Sequence, residues 1–417
     1  MSLPPIDPQK LEWFLHHGIE EVLPSKDKLR EKLLSGDRIR VYLGIDPSGP
    51  TMHIGHAIAM QKLAELQAMG HEVILLLGDF TAMIGDPTDK SAVRKQLTRE
   101  QVLENLKAYK EQAGRFLKFD GPNPVQVKFN NDWLGKMSFA DVVELAAHFT
   151  VQQMMERDMF EKRIAEGKPV HLHEFLYPLM QGYDSVAMDV DLEVGGNDQT
   201  FNMLAGRTLL REIKGKEKFV MRCRLLTDAT GKKMGKSEGN MIALTDEPSD
   251  AYGKIMSWTD AMILPGFEIL TTLSAEEIAE RKQKMDAGEN PMTLKRELAE
   301  RVVAWAFGAE AAAKAAEEFT QVHQQGERPE EMSELFVNES ELSITELLVR
   351  AGLVPSKGEA RRQVEQKAVR VDDVLIEDVA ALITIRDGLV LQKGKRHFAK
   401  IRQGSVETDC ITIKGLV

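Results

Sequence analysis

Three short segments of this chain carry residue types whose spacing suits chemistry. The first is His53-Ile-Gly-His56, where two imidazoles flank a glycine as a turn-rich stretch, Gly44 to Pro50, gives way to a helical pattern. The exposed N–H groups at the start of such a helix, with its macrodipole, favour negative charge. Gly55 lets an adenine or phosphate approach the backbone, and His53 and His56 can donate to phosphate oxygens as charge develops. A zinc site is a weaker reading, because no further Cys/His pair lies nearby. The second segment, Gly231-Lys-Lys-Met-Gly-Lys-Ser237, brackets lysines with glycines. A basic loop of this kind can close over a triphosphate and bring cations to the α-phosphate. Its glycines are too close together for a P-loop. The third is Tyr177-Pro-Leu-Met-Gln-Gly-Tyr-Asp184, in which positions 177, 181 and 184 fall on one helical face. A phenol, an amide and a carboxylate then point into one pocket. Taken singly, the three segments also suit a surface turn, a solvated loop and a core helix.

The elements around them must hold these groups in place. Arg38–Gly44 reads as a strand entering a loop, residues 55–69 as a helix stopped by Gly70, and Val73–Leu77 as a buried strand. Strand, loop, helix and strand make a βαβ unit, so the expected fold is a doubly wound α/β domain with a parallel sheet. Ligands in such sheets bind beyond the C-terminal strand ends, which puts Gly44–His56 and Gly78–Pro87 at one site. Residues 8–35, 98–118 and 138–165 read as helical, the last with Phe149, Met154, Met155, Met159 and Phe160 as core or subunit interface. Val186–Val194 alternates like a strand, and Gly195–Gln199 is a loop opening a helix at Thr200–Leu210.

Beyond about residue 240 the pattern changes. Residues 248–335 are helical in character, including Thr293–Glu318, and Gln321–Met332 reads as a polar linker. Helices at Ser343–Ala351 and Lys357–Gln366 follow, then short strands at 369–371, 374–376 and 389–391. Residues 343–404 hold 12 Lys/Arg against 8 Asp/Glu, a basic stretch in a chain of net charge −11. That overall charge argues against a nucleic-acid coat protein and makes any RNA contact local. The 417 residues, 43% hydrophobic and 29% charged, indicate a globular enzyme of two or three domains. Two distant cysteines, Cys223 and Cys410, point to a reducing compartment. No signal peptide or membrane-length apolar run is evident, so a cytoplasmic location is expected.

His53-Ile-Gly-His56, about 180 residues before Lys233-Met-Gly-Lys-Ser237, resembles the signature pair of class I aminoacyl-tRNA synthetases, with Gly235 where the family has serine. Within that class, Tyr177–Asp184 resembles the substrate helix of the tyrosyl enzymes, Met83–Pro87 their second loop, and Gly195–Gln199 their ribose loop. The resemblance implies that Tyr42 and Asp184 bind a tyrosine hydroxyl and that Tyr177, Gln181 and Asp86 bind its ammonium. It gives Asp198 to ribose, Gln199 to the tyrosine end of the adenylate, and Gly44 and Asp46 to the lining. Ser48, His53, His56, Lys233 and Lys236 become the catalytic set, while Gly44, Asp46, Gly55, Asp198, Lys236 and Ser237 hold ATP, taken with Mg²⁺.

Leu347–Arg402 resembles an S4-type RNA-binding module presenting Lys357, Arg361 and Arg362 to phosphates, with Lys393–Arg396 adding to the patch. The implied architecture is a Rossmann-like catalytic domain over residues 1–245 with a helical insertion near 133–183, a helical anticodon-side domain over 246–335, and an α+β S4-like domain over 340–417. The implied partners are tRNA, tyrosine and ATP, in a homodimer joined through the insertion. A tryptophanyl enzyme, a paralogue activating another amino acid, and a non-catalytic RNA-binding protein are the alternatives. Tyr42 with Asp184 and the S4-like tail speak against the first, and the intact His53, His56, Lys233, Lys236 and Asp198 against the last.

Overall fold

The computed structural model describes residues 3–87, 97–156, 158–227, 241–321, 332–394 and 397–404. The loop bearing Lys233, Lys236 and Ser237, and the tail after Gly404, lie outside them. The chain forms two compact units, Met1–Ala313 and Lys314–Val417.

The first unit is built on a six-stranded sheet of β1 (Ile19–Leu23), β2 (Arg40–Ile45), β3 (Glu72–Leu77), β4 (Gln126–Phe129), β5 (Leu192–Gly196) and β6 (Phe219–Cys223). The spatial order is β1-β6-β5-β2-β3-β4. All neighbours are parallel except β1, which runs antiparallel to β6. The chain winds outward from β2 through β3 to β4, then returns to β5 on the other side of β2. The switch point therefore lies between β2 and β5, and a cleft opens beyond their C-terminal ends. Val41, Tyr42, Val73–Leu77 and Leu192–Val194 are buried, as expected of strands covered on both faces.

Several expected boundaries shift. Residues 8–35 are two helices, Pro8–His16 and Lys26–Leu34, separated by β1. Pro8 starts the first and Ser25 caps the second, and the stretch between them holds the five-residue edge strand Ile19–Leu23. Residues 138–165 break into helices at Phe139–Ala146, Val151–Met155 and Asp158–Ala165; Ser138 and Thr150 cap the first two by closing capping boxes. Val186–Val194 is not one strand: the helix Leu172–Met188 runs on to a left-handed cap at Asp189, and β5 begins at Leu192. The alternation read there was the end of a helix joined to the start of a buried strand. Thr293–Glu318 is likewise two helices, Pro291–Phe307 and Ala309–Thr320, parted at Gly308 with φ +101°.

The second unit holds β7 (Ser333–Val337), β8 (Glu341–Ser343), β9 (Val369–Val371), β10 (Val374–Leu375), β11 (Leu382–Thr384), β12 (Val390–Lys393) and β13 (His397–Gln403). Five of these form a sheet in the order β10-β9-β12-β13-β7, and β8 pairs with β11. Asp372 and Asp373, both at positive φ, make the two-residue turn between β9 and β10. Helices Ile344–Arg350 and Lys357–Glu365 bury Leu347, Leu348 and Val364 in one core with Val369, Leu391 and Ile401.

Candidate active site

The helix Leu172–Met188 is the element that gathers the site. It starts with a reciprocal cap between His171 and Glu174, the His171 amide donating to Glu174 Oε1 at 2.8 Å. Its expected face meets the ends of β2 and β5. Tyr177 donates its hydroxyl proton to Asp46 Oδ2 at 2.7 Å, and Gln181 Nε2 donates to Glu193 Oε1 at 3.1 Å. Asp184 accepts from Trp133 Nε1 at 2.8 Å and from Asn130 Nδ2 at 3.3 Å. Asp46 also accepts from Thr81 Oγ1 at 2.7 Å.

Tyr42 and Asp184 are both buried, in a pocket end walled by Ile74, Leu76, Met188, Val190 and Trp133. Burial pushes the Asp184 carboxyl well above the usual range, opposed by the Trp133 and Asn130 hydrogen bonds. Burial likewise raises Tyr42, and the Glu193 and Asp184 carboxylates add to it, so its hydroxyl keeps its proton. Tyr177 is raised by burial and by Asp46 and Asp86. The pocket end thus offers one neutral phenol and one constrained carboxyl in apolar surroundings. That suits a ligand hydroxyl able to accept from one and donate to the other.

Gly44 lies near the end of β2, and the loop leaving it carries Asp46 and Ser48 to the helix Ile54–Ala68, with Gly44 and Ser48 exposed. His53 is the helix N-cap: its Nδ1 accepts from the Gly55 amide, and the His56 Nδ1 accepts from the His53 amide, both at 3.1 Å. A neutral imidazole that accepts at Nδ1 carries its proton at Nε2. Both rings are thereby set as Nε2–H donors, with centroids 4.0 Å apart and planes tilted by 40°. A Cβ on Gly55 would lie 2.9 Å from the His53 ring, so this cap needs the glycine. The residues just after the lysine loop are tied to the same segment: Ile54 N donates to Ile242 O at 3.0 Å, and Leu244 N to Met52 O at 2.9 Å. Residues 242–244 therefore lie beside His53.

Asp86 and Gln199 meet directly, Gln199 Nε2 donating to Asp86 Oδ2 at 2.7 Å. Asp198 lies with Gln199 in the short 3-10 turn Asn197–Gln199, which Arg222 braces by donating to Asn197 Oδ1 at 2.9 Å and Thr200 Oγ1 at 3.2 Å. In the second unit Lys357, Arg361 and Arg362 lie on one exposed helix. Lys357 pairs with Glu346 at 3.1 Å and Arg362 pairs with Glu359.

Asn130, Trp133, Ser185, Glu193 and Lys218 belong to this neighbourhood and were not singled out from sequence. The available signal was a charge inside an apolar strand pattern, Leu192-Glu-Val194 and Lys218-Phe-Val220. Asn130 and Trp133 gave none, since their role depends on β4 ending beside Asp184.

A family model described as tRNA synthetases class I (W and Y) matches residues 34–324, and one described as the tyrosine--tRNA ligase SYY-like C-terminal domain matches residues 324–401. The tyrosine--tRNA ligase of Moorella thermoacetica is 44% identical over 392 residues, covering 93% of this chain and 94% of the relative. That of Haemophilus influenzae is 41% identical over 395 residues, covering 94% and 97%. Two solved structures share the fold. The C-terminally truncated mitochondrial tyrosyl-tRNA synthetase of Aspergillus nidulans has a TM-score of 0.62 at 22% identity, covering 75% of this chain and 93% of that one. The Archaeoglobus fulgidus tyrosyl-tRNA synthetase, solved with L-tyrosine, has 0.58 at 23% identity, covering 74% and 99%. With both family models matched in sequence order and such relatives spanning nearly its whole length, the chain belongs to the tyrosine--tRNA ligase family of class I tRNA synthetases.

Proposed function

We propose that the cleft beyond β2 and β5 activates L-tyrosine with ATP and transfers it to the 3′ end of a tRNA. The observation that carries the amino-acid assignment is Asp184, buried beside Tyr42 with both oxygens held by Trp133 and Asn130. A tyrosine hydroxyl satisfies that pair, whereas phenylalanine leaves buried polar groups unpaired. Tyr177, Gln181 and Asp86 bind the ammonium in this reading, each held by its own hydrogen bond, to Asp46, to Glu193 and from Gln199 respectively. Gly44, Asp46, Gly55 and Asp198 cradle ATP, with Gln199 at the tyrosine end of the adenylate.

The tyrosine carboxylate attacks the α-phosphate, forming the mixed anhydride and expelling pyrophosphate. A ribose hydroxyl of the tRNA terminus then attacks the acyl carbon and AMP leaves. His53 and His56 supply neutral Nε2–H donors, Ser48 a hydroxyl, and Lys233, Lys236 and Ser237 complete the phosphate contacts in this reading. Positioning and charge stabilisation carry the rate, with no covalent enzyme intermediate. ATP is taken as its Mg²⁺ complex, the metal travelling with the substrate. Among the described residues no cluster of three or more His, Cys, Asp or Glu side chains forms a ligand set of its own.

Residues 340–417 act in this reading as an S4-like RNA-binding domain through Lys357, Arg361 and Arg362, and residues 246–335 as the anticodon-side domain. The basic helix Lys357–Glu365 is the support for the former. A homodimer joined through residues 133–183 fits the exposed Phe139, Val143, Val151 and Leu172 of that stretch, 53–83% accessible in the single chain. The cytoplasm, where aminoacylated tRNA is consumed, is the place of action this reading requires; among the described residues no helix is long and apolar enough to cross a membrane.

ATP–pyrophosphate exchange with tyrosine, phenylalanine and tryptophan offered separately tests the proposal. Exchange with tyrosine alone is expected. Exchange with tryptophan would overturn the pocket assignment, and no exchange with any of the three would leave RNA binding or another substrate.

A further inference from the structure

We propose that Lys218, Glu193 and Ser185 form a buried positioning network that fixes which atoms of Tyr42 and Gln181 are left for the substrate, and thereby sets the preference for a phenol over a phenyl ring. The inference rests on the reading of Tyr42 and Asp184 as the hydroxyl-binding pair.

Glu193 sits in β5 directly across from Tyr42 in β2, and Lys218 immediately precedes β6 on the far side of β5. Lys218 is completely buried and ion-paired with Glu193, itself buried. A buried pair of this kind contributes little net stability, because desolvation offsets the attraction. What the pair does do is occupy acceptors. Lys218 Nζ takes Glu193 Oε2 and also donates to Ser185 Oγ at 2.9 Å, while Gln181 Nε2 takes Glu193 Oε1.

Two consequences follow from donor and acceptor counts. An ammonium only donates, so Ser185 Oγ is an acceptor toward Lys218, and its own proton is favoured toward Tyr42 Oη, 3.0 Å away. Glu193 competes for the Tyr42 proton, raising the phenol by its charge and by a side-chain hydrogen bond, and Lys218 weakens that competition by occupying Glu193 Oε2. Tyr42 is left to donate to a substrate hydroxyl, with Asp184 as the acceptor on the other side. At the ammonium end, a carboxylate holding the Gln181 NH₂ group leaves the amide oxygen for the substrate, the correct end for a cation.

The fold makes room for this network at one point. A Cβ on Gly206 would stand 2.5 Å from Lys218 Nζ and 2.7 Å from Ser185 Oγ. Helix Thr200–Lys214 therefore passes the network only because position 206 has no side chain.

The test is steady-state exchange kinetics on the full chain for Lys218→Met, Ser185→Ala and the double variant Lys218→Met/Glu193→Gln, with folding followed by circular dichroism. Lys218→Met and Ser185→Ala are expected to raise the tyrosine KM by roughly 10-fold and to lower the tyrosine-to-phenylalanine ratio of kcat/KM to match, with the ATP KM unchanged. The double variant, which removes both charges yet keeps an acceptor for Gln181, is expected to recover most of the ratio. A parallel fall in every parameter for Lys218→Met, with an unchanged ratio for Ser185→Ala, overturns the proposal. Should Lys218→Met fail to fold, Ser185→Ala decides alone, since it deletes one hydroxyl and strands no carboxylate. Asp184→Asn separates the two levels: if it too leaves the ratio intact, the hydroxyl-binding reading has failed. If it alone collapses the ratio, only the network has.

Discussion

The tyrosine site and the basic helix of the C-terminal unit handle charge in opposite ways. Around Asp184, polar groups are buried and hydrogen-bonded to other protein groups at fixed geometry. On Lys357–Glu365 the cations are exposed and paired with carboxylates at the surface, where such pairs are worth little and exchange readily for phosphate. The first arrangement is organised before any ligand arrives, which in the proposed function lets it discriminate between ligands one hydroxyl apart. The second, in the RNA-binding role proposed for it, is rearranged by its ligand and responds to charge density instead.

That contrast is open to attack from both sides. The largest effect is expected at Asp184. Asp184→Ala strands the Trp133 and Asn130 donors as well as losing the substrate contact, and tyrosine-dependent exchange should fall by ~100-fold or more. Retention of near-normal exchange would remove the basis for calling this site preorganised.

Acid tests the same unit through two histidines. Among the described residues His17 Nε2 and both ring nitrogens of His71 have no hydrogen-bond partner, and burial, followed by Lys62 for His17 and Arg38 for His71, lowers both from 6.5 to about 4. The unfolded chain therefore binds more protons than the folded chain between those values. Their contribution is fully present above pH 6.5 and is lost as pH falls toward 4, by at most about 3 kcal/mol for His71 and less for the partly exposed His17. Urea titrations of the wild type and His71→Gln at pH 7.5 and 5 should show a shallower acid loss in the variant; identical pH slopes would rule His71 out.

Tyr42→Phe removes one neutral hydroxyl, and the tyrosine KM should rise by ~10-fold while phenylalanine activation changes little. At the outer helix the effects are smaller still. Arg361, exposed and without a carboxylate partner among the described residues, should cost ~2- to 5-fold in tRNA affinity as Arg361→Ala and lower the salt slope by about one. Lys357→Ala should cost less, because Glu346 already offsets part of its charge. Filter-binding across a salt series measures both, and a loss at Lys357 exceeding that at Arg361 would reverse the ranking.

Much of this was legible in the residues. The βαβ core was, because Val73–Leu77 is too apolar for anything but a two-face-buried strand and Gly70 stops the preceding helix. The helix face Tyr177–Gln181–Asp184 was also legible, since its spacing alone aligns the three side chains. Strand β1 was hidden by the helical spacing of apolar residues on either side of it. Strands β7 and β13 form a parallel pair some 65 residues apart in sequence, a long-range pairing that local pattern cannot display. Glu193 and Lys218 were the costlier omission. Each looks like an interruption of a strand, and only their pairing across the β5–β6 register turns two apparent defects into one network.

A last consequence concerns the two glycines where the long helices touch. A Cβ on Gly182 would lie 3.1 Å from the Gly206 backbone nitrogen, so Leu172–Met188 and Thr200–Lys214 meet nearly main chain to main chain. In the proposed function one helix bears the amino-acid contacts, and the other begins immediately after Asp198, proposed for the ribose, and Gln199, proposed for the tyrosine end of the adenylate. Packed backbone against backbone there, with Leu209 beside the contact, the two behave as a single rule with marks at both ends. The separation between amino acid and nucleotide is then a length built into the scaffold, the same in every turnover, and not something each pair of substrates must negotiate on arrival.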